Sequence, residues 1–212
     1  MTENEKRESG LLFYPKDPEL KAMKLRAHKL NQDFNKLYED ETEERNKILS
    51  ELLGSFGKGS FIQGPITFHY GKNTFIGDNV FINFNFTAQD DGRITIGNNC
   101  DFGPNVTIVT PVHPLLPNER EKLLCPDGQE RRLCYARPVV IEDKCWICAN
   151  TVILPGVTVG RGSVIGAGSV VTKSIPPYSF AASNPCRVIR ELSKNDSIMN
   201  DPEILGGCSV IE

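Results

Sequence analysis

Between residues 141 and 176 an aliphatic side chain returns at every sixth position: Ile141, Ile147, Ile153, Val159, Ile165 and Val171. The fifth place of the same units is mostly small, running Cys145, Thr151, Val157, Ser163, Ser169, Ile175. An earlier block keeps this phase, as YGKNTF, IGDNVF, INFNFT from Tyr70 and IGNNCD, FGPNVT, IVTPVH from Ile96. A helix would repeat at three and four residues, and a lone strand at two. A period of six fits a short strand and a turn, stacked coil upon coil into a parallel β-solenoid. The first position of each unit is expected to point inward, with the small one beside the corner. Gly77, Gly97, Gly103, Gly160 and Gly166, some followed by asparagines, are expected to make the bends, because Gly and Asn tolerate positive φ. Each buried Ile or Val contributes about 1.5–3 kcal/mol, so a column of them can support a slender core.

Residues 17–53 carry a different period. Leu20, Met23, Ala27, Leu30, Phe34 and Leu37 recur at three- and four-residue steps, which predicts one face of a helix. Ile48, Leu49, Leu52 and Leu53 do the same after the charged run EDETEERNK, which is expected to be a solvated face or linker. These helices are expected to cap the open N-terminal end of the solenoid and cover its unpaired strand edges. After Pro176-Pro177, CRVIREL predicts a short closing helix, followed by a loose tail. The divisions are therefore a helical arm over 1–56, a solenoid over 57–183 with an excursion at 114–138, and a C-terminal helix and tail over 184–212.

Composition narrows the function classes. With 212 residues and a net charge of −3, the chain lacks the basic excess of a nucleic-acid binder. No apolar run approaches the roughly 20 residues that span a bilayer, and MTENEKRESG has no apolar h-region of an export signal. Seven cysteines fit free thiols in a reducing cytoplasm better than a disulfide framework. Only three histidines occur, His28, His69 and His113. His113 is wedged between prolines in TPVHP, where the regular coil leaves for the 114–138 excursion.

The motifs DPEL, ELLG, YGKNTFIGDNVFINFN, DDGRITIGNNCDFGPNVTI, VILPGVTVGRGSVIGAGSVVTKSIPP and NPCRVIREL, with the His-Pro step between them, resemble the hexapeptide-repeat acyltransferases. The likeness is strongest to the maltose and galactoside O-acetyltransferase family. It implies a mainly β fold, a left-handed parallel β-helix with an N-terminal helical cap, assembled as a homotrimer with acetyl-CoA bound between subunits. It also implies that His113 is the general base, a task suited to an imidazole that titrates close to neutrality. Asn83 and Asp91 match residues that contact the acceptor sugar, Asn83 being expected near His113 in a neighbouring coil. Trp146 matches a tryptophan that walls the site across the interface. Ala149 and Ala167 match backbone contacts to the pantetheine arm, and Thr172, Lys173, Arg187 and Arg190 match contacts near the 3′-phosphoadenosine.

Departures from the family pattern fall on the acceptor side. Cys148 stands in CWICAN where glycine is usual, and Pro15 stands where an acidic residue usually touches the acceptor, with Asp17 only nearby. His69 occupies a place that is more often small or acidic, and the excursion is longer than usual. The resemblance implies a small-molecule acceptor, a maltose-, glucose- or galactoside-like sugar. An antibiotic, amino-sugar or serine acetyltransferase, or a non-catalytic scaffold, stays open, because fold alone does not name the substrate. The Cys145-x-x-Cys148 pair lacks the second pair of a zinc site, and two histidines at unsuitable spacing cannot supply the three of a γ-class carbonic anhydrase, so no metal is expected.

Overall fold

A computed structural model describes residues 1–209. The tail residues 210–212 lie outside the described residues. The chain starts with α1 (Glu3–Glu8), in which the Thr2 hydroxyl and the Glu5 carboxylate cap each other's backbone N–H groups. Next comes α2 (Pro18–Phe34), capped by Asp17 with proline in its first turn, and then α3 (Thr42–Leu52). Leu20, Ala27 and Phe34 are fully buried, as the three-four spacing requires. The charged run is a solvated face rather than a linker: α3 begins inside it, and of its residues only Arg45 is buried. Arg45 is buried, its guanidinium 4.4 Å from the centre of the Phe34 ring, and it donates to the carbonyls of Ile62 and Gln63. A long side chain with five donors can close a helix onto strand ends that a leucine would leave unsatisfied.

The solenoid has three faces of parallel strands. One runs through Ile76, Ile96, Ile141 and Val159, paired in register. A second runs through Ile82, Phe102, Ile147, Ile165 and Ala181. The third runs through Ala88, Ile108, Ile153 and Val171. All these side chains point inward and are buried, as the six-residue phase predicts. Cys100 and Cys145 fill the small inward slots. Among the early coils, Phe68, Phe86 and Phe102 meet near the axis with ring centres 5.7 Å apart at each contact. The first strand of the third face, Ile66–Phe68, has no coil below it. Asn31 and Asn35 of the α2 end use both their amide nitrogen and oxygen to pair with the backbones of Phe68 and Ile66, so side chains stand in for the missing strand.

The corners are built differently from expectation. Positive φ falls on Asn79, Asn85, Asn99, Asn105 and Asn150, and on Gly162 and Gly168, rather than on the five glycines named from the repeat. Asn85, Asn105 and Asn150 form a ladder, each Nδ2 donating to the next Oδ1 at 2.9 and 3.0 Å. Gly77 and its kin are required for close approach instead: a Cβ on Gly77 would lie 2.9 Å from the carbonyl carbon of Gly97 in the next coil.

At the C-terminal side, CRVIREL is not helical. Arg187–Glu191 is a strand that turns back antiparallel on Ser179–Ala182 and covers the last edge of the second face. The short helix of this region is instead Pro202–Leu205, beyond two 3₁₀ turns. The alternation Arg-Val-Ile-Arg suits a two-sided exposed strand as well as a helical turn, and the open edge decides between them.

Candidate active site

Eight of the twelve expected site residues fall on two corners of the prism, while Asp17 caps α2 and Trp146, Arg187 and Arg190 lie on strands. The corner after the third face carries His69, Asp91, His113, Thr172 and Lys173, each just past the strands Ile66–Phe68, Phe86–Gln89, Thr107–Val109 and Val170–Val171. The corner after the second face carries Asn83, Ala149 and Ala167, past Phe81–Ile82, Trp146–Ile147 and Val164–Ile165. Asn83 is therefore not in a neighbouring coil at His113's corner, as expected, but a whole face away. Its Oδ1 accepts the Phe84 N–H at 2.8 Å, which closes the corner and leaves Nδ2 as its free donor among the described residues.

His113 is exposed and follows the short strand Pro111–Val112, which pairs antiparallel with Tyr135–Ala136 where the excursion returns. The two chain directions thus pin the histidine at the root of the excursion. Asp91 is buried, 4% exposed, and its Oδ2 has no hydrogen-bond partner among the described residues. Burial pushes its carboxyl up to about 6, opposed by the charges of Lys24, Arg7 and His113. His69 lies between His28, with ring centres 5.6 Å apart, and Tyr70, at 5.0 Å. Burial, then Lys24 and His28, push it down to about 4, so at neutral pH it is an uncharged imidazole with one donor and one acceptor. Arg7, Lys24 and Tyr70 belong to this cluster and were not singled out from the sequence. The Thr2-x-x-Glu5 capping box could have announced α1, but nothing in the local pattern marks Arg7 as buried.

Asp17 caps α2 through its Oδ1, 2.9 Å from the Glu19 N–H, and lines an open cleft of about 1220 Å³ between the N-terminal arm and the excursion. Leu11, Leu12, Pro114, Leu123 and Leu124 share that lining, so the cleft starts one residue from His113 and is largely apolar. Phe13 and Cys134 exchange both backbone hydrogen bonds and clasp the two segments together.

Trp146 points outward and is 53% exposed. Above it, the Ala149 carbonyl accepts the Gly168 N–H at 2.9 Å, while the N–H groups of Ala149 and Ala167 have no partner among the described residues. Free donors on one line suit the amides of a pantetheine chain. Thr172, Lys173 and Arg187 are exposed, and the Cys186 N–H binds the Val170 carbonyl at 2.8 Å, which brings Arg187 beside the Thr172 turn. Arg190 is already held by Asp196 in an ion pair. The described residues contain no cluster of His, Cys, Asp or Glu able to hold a metal, and their seven cysteines are all free.

The chain is similar to known proteins over most of its length. The family described as "Maltose acetyltransferase hexapeptide capping motif" matches residues 6–57, and "Bacterial transferase hexapeptide (six repeats)" matches residues 138–173. The galactoside O-acetyltransferase of Escherichia coli K12 is 39% identical over 196 residues, 92% of each chain. The crystal structure of a maltose O-acetyltransferase from Clostridium difficile 630 is similar at a TM-score of 0.84 and 41% identity, covering 92% of this chain and 99% of that one. A hexapeptide-repeat acetyltransferase from Vibrio cholerae O1 biovar eltor, complexed with acetyl coenzyme A, is similar at a TM-score of 0.80 and 34% identity, covering 92% of this chain and all of that one.

Proposed function

The chain belongs to the maltose and galactoside O-acetyltransferase family, and on that premise we propose that it transfers acetyl from acetyl-CoA to a hydroxyl of a small sugar through His113. The observation that carries this reading is the corner that exposed His113 shares with the buried carboxyl of Asp91, whose Oδ2 has no hydrogen-bond partner among the described residues. His113 takes the proton of the acceptor hydroxyl as its oxygen bonds to the acetyl carbon, and returns a proton to sulfur as the carbon–sulfur bond breaks. Acetyl-CoA supplies the activated thioester, so neither an acyl-serine nor an acyl-cysteine is needed. Asp91 Oδ2, neutral His69 and the Nδ2 of Asn83 offer hydrogen bonds to sugar hydroxyls, with Asp17 at the rim. Trp146 supplies a flat apolar wall.

The N–H groups of Ala149 and Ala167 would hold the pantetheine arm, and Thr172, Lys173 and Arg187 the phosphates. Arg190 would first have to release Asp196. Because these groups sit on two corners of one slender prism, a complete site needs a second chain whose corner faces the first, which supports a homotrimer with sites between subunits. Seven free thiols support a reducing, cytoplasmic setting.

Release of free thiol from acetyl-CoA, measured against maltose, glucose, galactosides, an amino sugar, serine and chloramphenicol, tests the reading. Turnover with a sugar hydroxyl is expected. Turnover confined to serine or to the antibiotic would replace the acceptor, and none with any acceptor would leave a binding scaffold. Lys173→Ala and Arg187→Ala should each weaken acetyl-CoA binding about fivefold to tenfold by calorimetry and leave the melting temperature unchanged, because both side chains are exposed. A residue that meets the 3′-phosphate loses less toward dephospho-CoA. Equal loss for both ligands moves that residue to the pyrophosphate.

A further inference from the structure

Given the reading of Asp91 and His113 as acceptor-side groups, we propose that Arg7, on the N-terminal arm, is a positioning residue that holds Asp91 in place and keeps its carboxylate ionised for the sugar. Arg7 is 2% exposed, although it lies on a six-residue helix at the start of the chain. Its Nη1 donates to the main-chain carbonyl of Asp91. Its Nε and Nη2 are held by Asn4 Oδ1 at 3.1 and 2.8 Å, and Nη2 reaches Glu8 at 3.2 Å. The guanidinium carbon lies 4.9 Å from the centre of the Tyr70 ring. A cation withdrawn from water is retained only where fixed acceptors and a negative group compensate it. Here the acceptors are the Asp91 backbone and Asn4.

Five groups face the Asp91 carboxyl: Arg7 from α1, Lys24 from α2, Tyr70 from the solenoid, His113 at the root of the excursion and Cys134 at its return. The neighbouring Asp90 carboxylate is engaged by the Tyr70 N–H and the Thr74 hydroxyl. Lys24 is tied by its Nζ to the Pro15 carbonyl at 2.8 Å, and His113 changes charge during turnover. Arg7 is the cation of the set that is both buried and permanently charged. Tyr70 OH and Asp91 Oδ2 are buried without partners among the described residues, so the pocket that Arg7 backs has two polar atoms to satisfy. A sugar hydroxyl can serve one of them, and the guanidinium keeps the carboxylate an acceptor rather than a donor.

The test is a carboxyl titration of full-length protein labelled with ¹³C at aspartate, with the Asp91 resonance assigned from Asp91→Asn, alongside steady-state kinetics. Arg7→Met should raise the Asp91 midpoint by about one pH unit and raise the sugar KM about tenfold at pH 7, with acetyl-CoA affinity unchanged. Arg7→Lys should restore most of the midpoint and less of the KM, since an ammonium lacks the fixed fork. Asn4→Ala, which loosens the guanidinium without removing its charge, should raise the KM a few-fold with a small midpoint change, and it stands in if Arg7→Met fails to fold. An unchanged Asp91 midpoint in folded Arg7→Met, a shifted midpoint with unchanged sugar KM, or an unchanged sugar KM in Asn4→Ala overturns the positioning role. If wild type turns over no acceptor, the acetyl-transfer reading falls and the titration alone still decides whether Arg7 governs Asp91.

Discussion

Replacing His113 with alanine is expected to lower kcat by about 10²–10⁴ while acetyl-CoA affinity stays within about twofold. The side chain is exposed at the excursion root and supports no part of the core, so the variant should melt like wild type. A loss below about threefold, measured with an acceptor that wild type turns over, would remove His113 from proton transfer. The same variant reports on the shared site. His113 stands at the corner after the third face and Trp146 on the outer side of the second face, so unfolding inactive His113→Ala together with inactive Trp146→Ala and refolding the mixture should restore part of the activity. Mixed trimers would contain some interfaces with both residues intact. A mixture as inactive as its parents, while wild type recovers in the same protocol, would place both residues in one chain's site or neither in it.

Phe86→Ala is expected to have the largest effect on stability, about 3–5 kcal/mol. Phe86 is 1% exposed and touches Phe68 on one side and Phe102 on the other, so its removal opens a cavity between two coils. Neighbouring coils are tied by parallel hydrogen bonds at Thr87 and Ala88 and cannot collapse into the space. Against a typical domain stability of about 5–15 kcal/mol, such a loss is a large fraction of the whole. Denaturant unfolding at one fixed protein concentration measures it, because subunit association would otherwise move the midpoint. Ile165→Val on the second face trims one methylene from a stacked column and should cost only about 0.5–1.5 kcal/mol. Equal costs for the two would mean that the aromatic contacts add nothing to the column.

What could be read from the chain was whatever repeats. Ile141 to Val171 keep one phase through six units, and each of those side chains is inside. The helical face from Leu20 to Phe34 was legible for the same reason. What could not be read was set by single long-range contacts. Arg45 sits in a charged run and looks solvated until Phe34 and the Ile62 carbonyl come beneath it. CRVIREL is a strand because the Ser179–Ala182 edge needs a partner, which no local propensity states. The repeat glycines serve close stacking and not positive φ, and the two needs look alike in sequence because both exclude a Cβ. At the site, motif likeness picked out His113 and Asp91 singly. The cluster of Arg7, Lys24 and Tyr70 around Asp91 arises from three segments far apart in the chain.

The clasp between Phe13 and Cys134 also fixes an order of events during synthesis. Their hydrogen bonds close over a separation of 121 residues, the difference of the two positions. At about 5–20 residues per second the ribosome needs roughly 6–24 s to make that stretch. Throughout that interval the N-terminal arm has no strand to clasp, and Leu11 and Leu12 beside it stay without the excursion that later flanks them. The first coils and their asparagine cap, by contrast, involve neighbours already made. The N-terminal arm thus exists well before the strand that clasps it, and the cleft between arm and excursion cannot take shape until that strand is made.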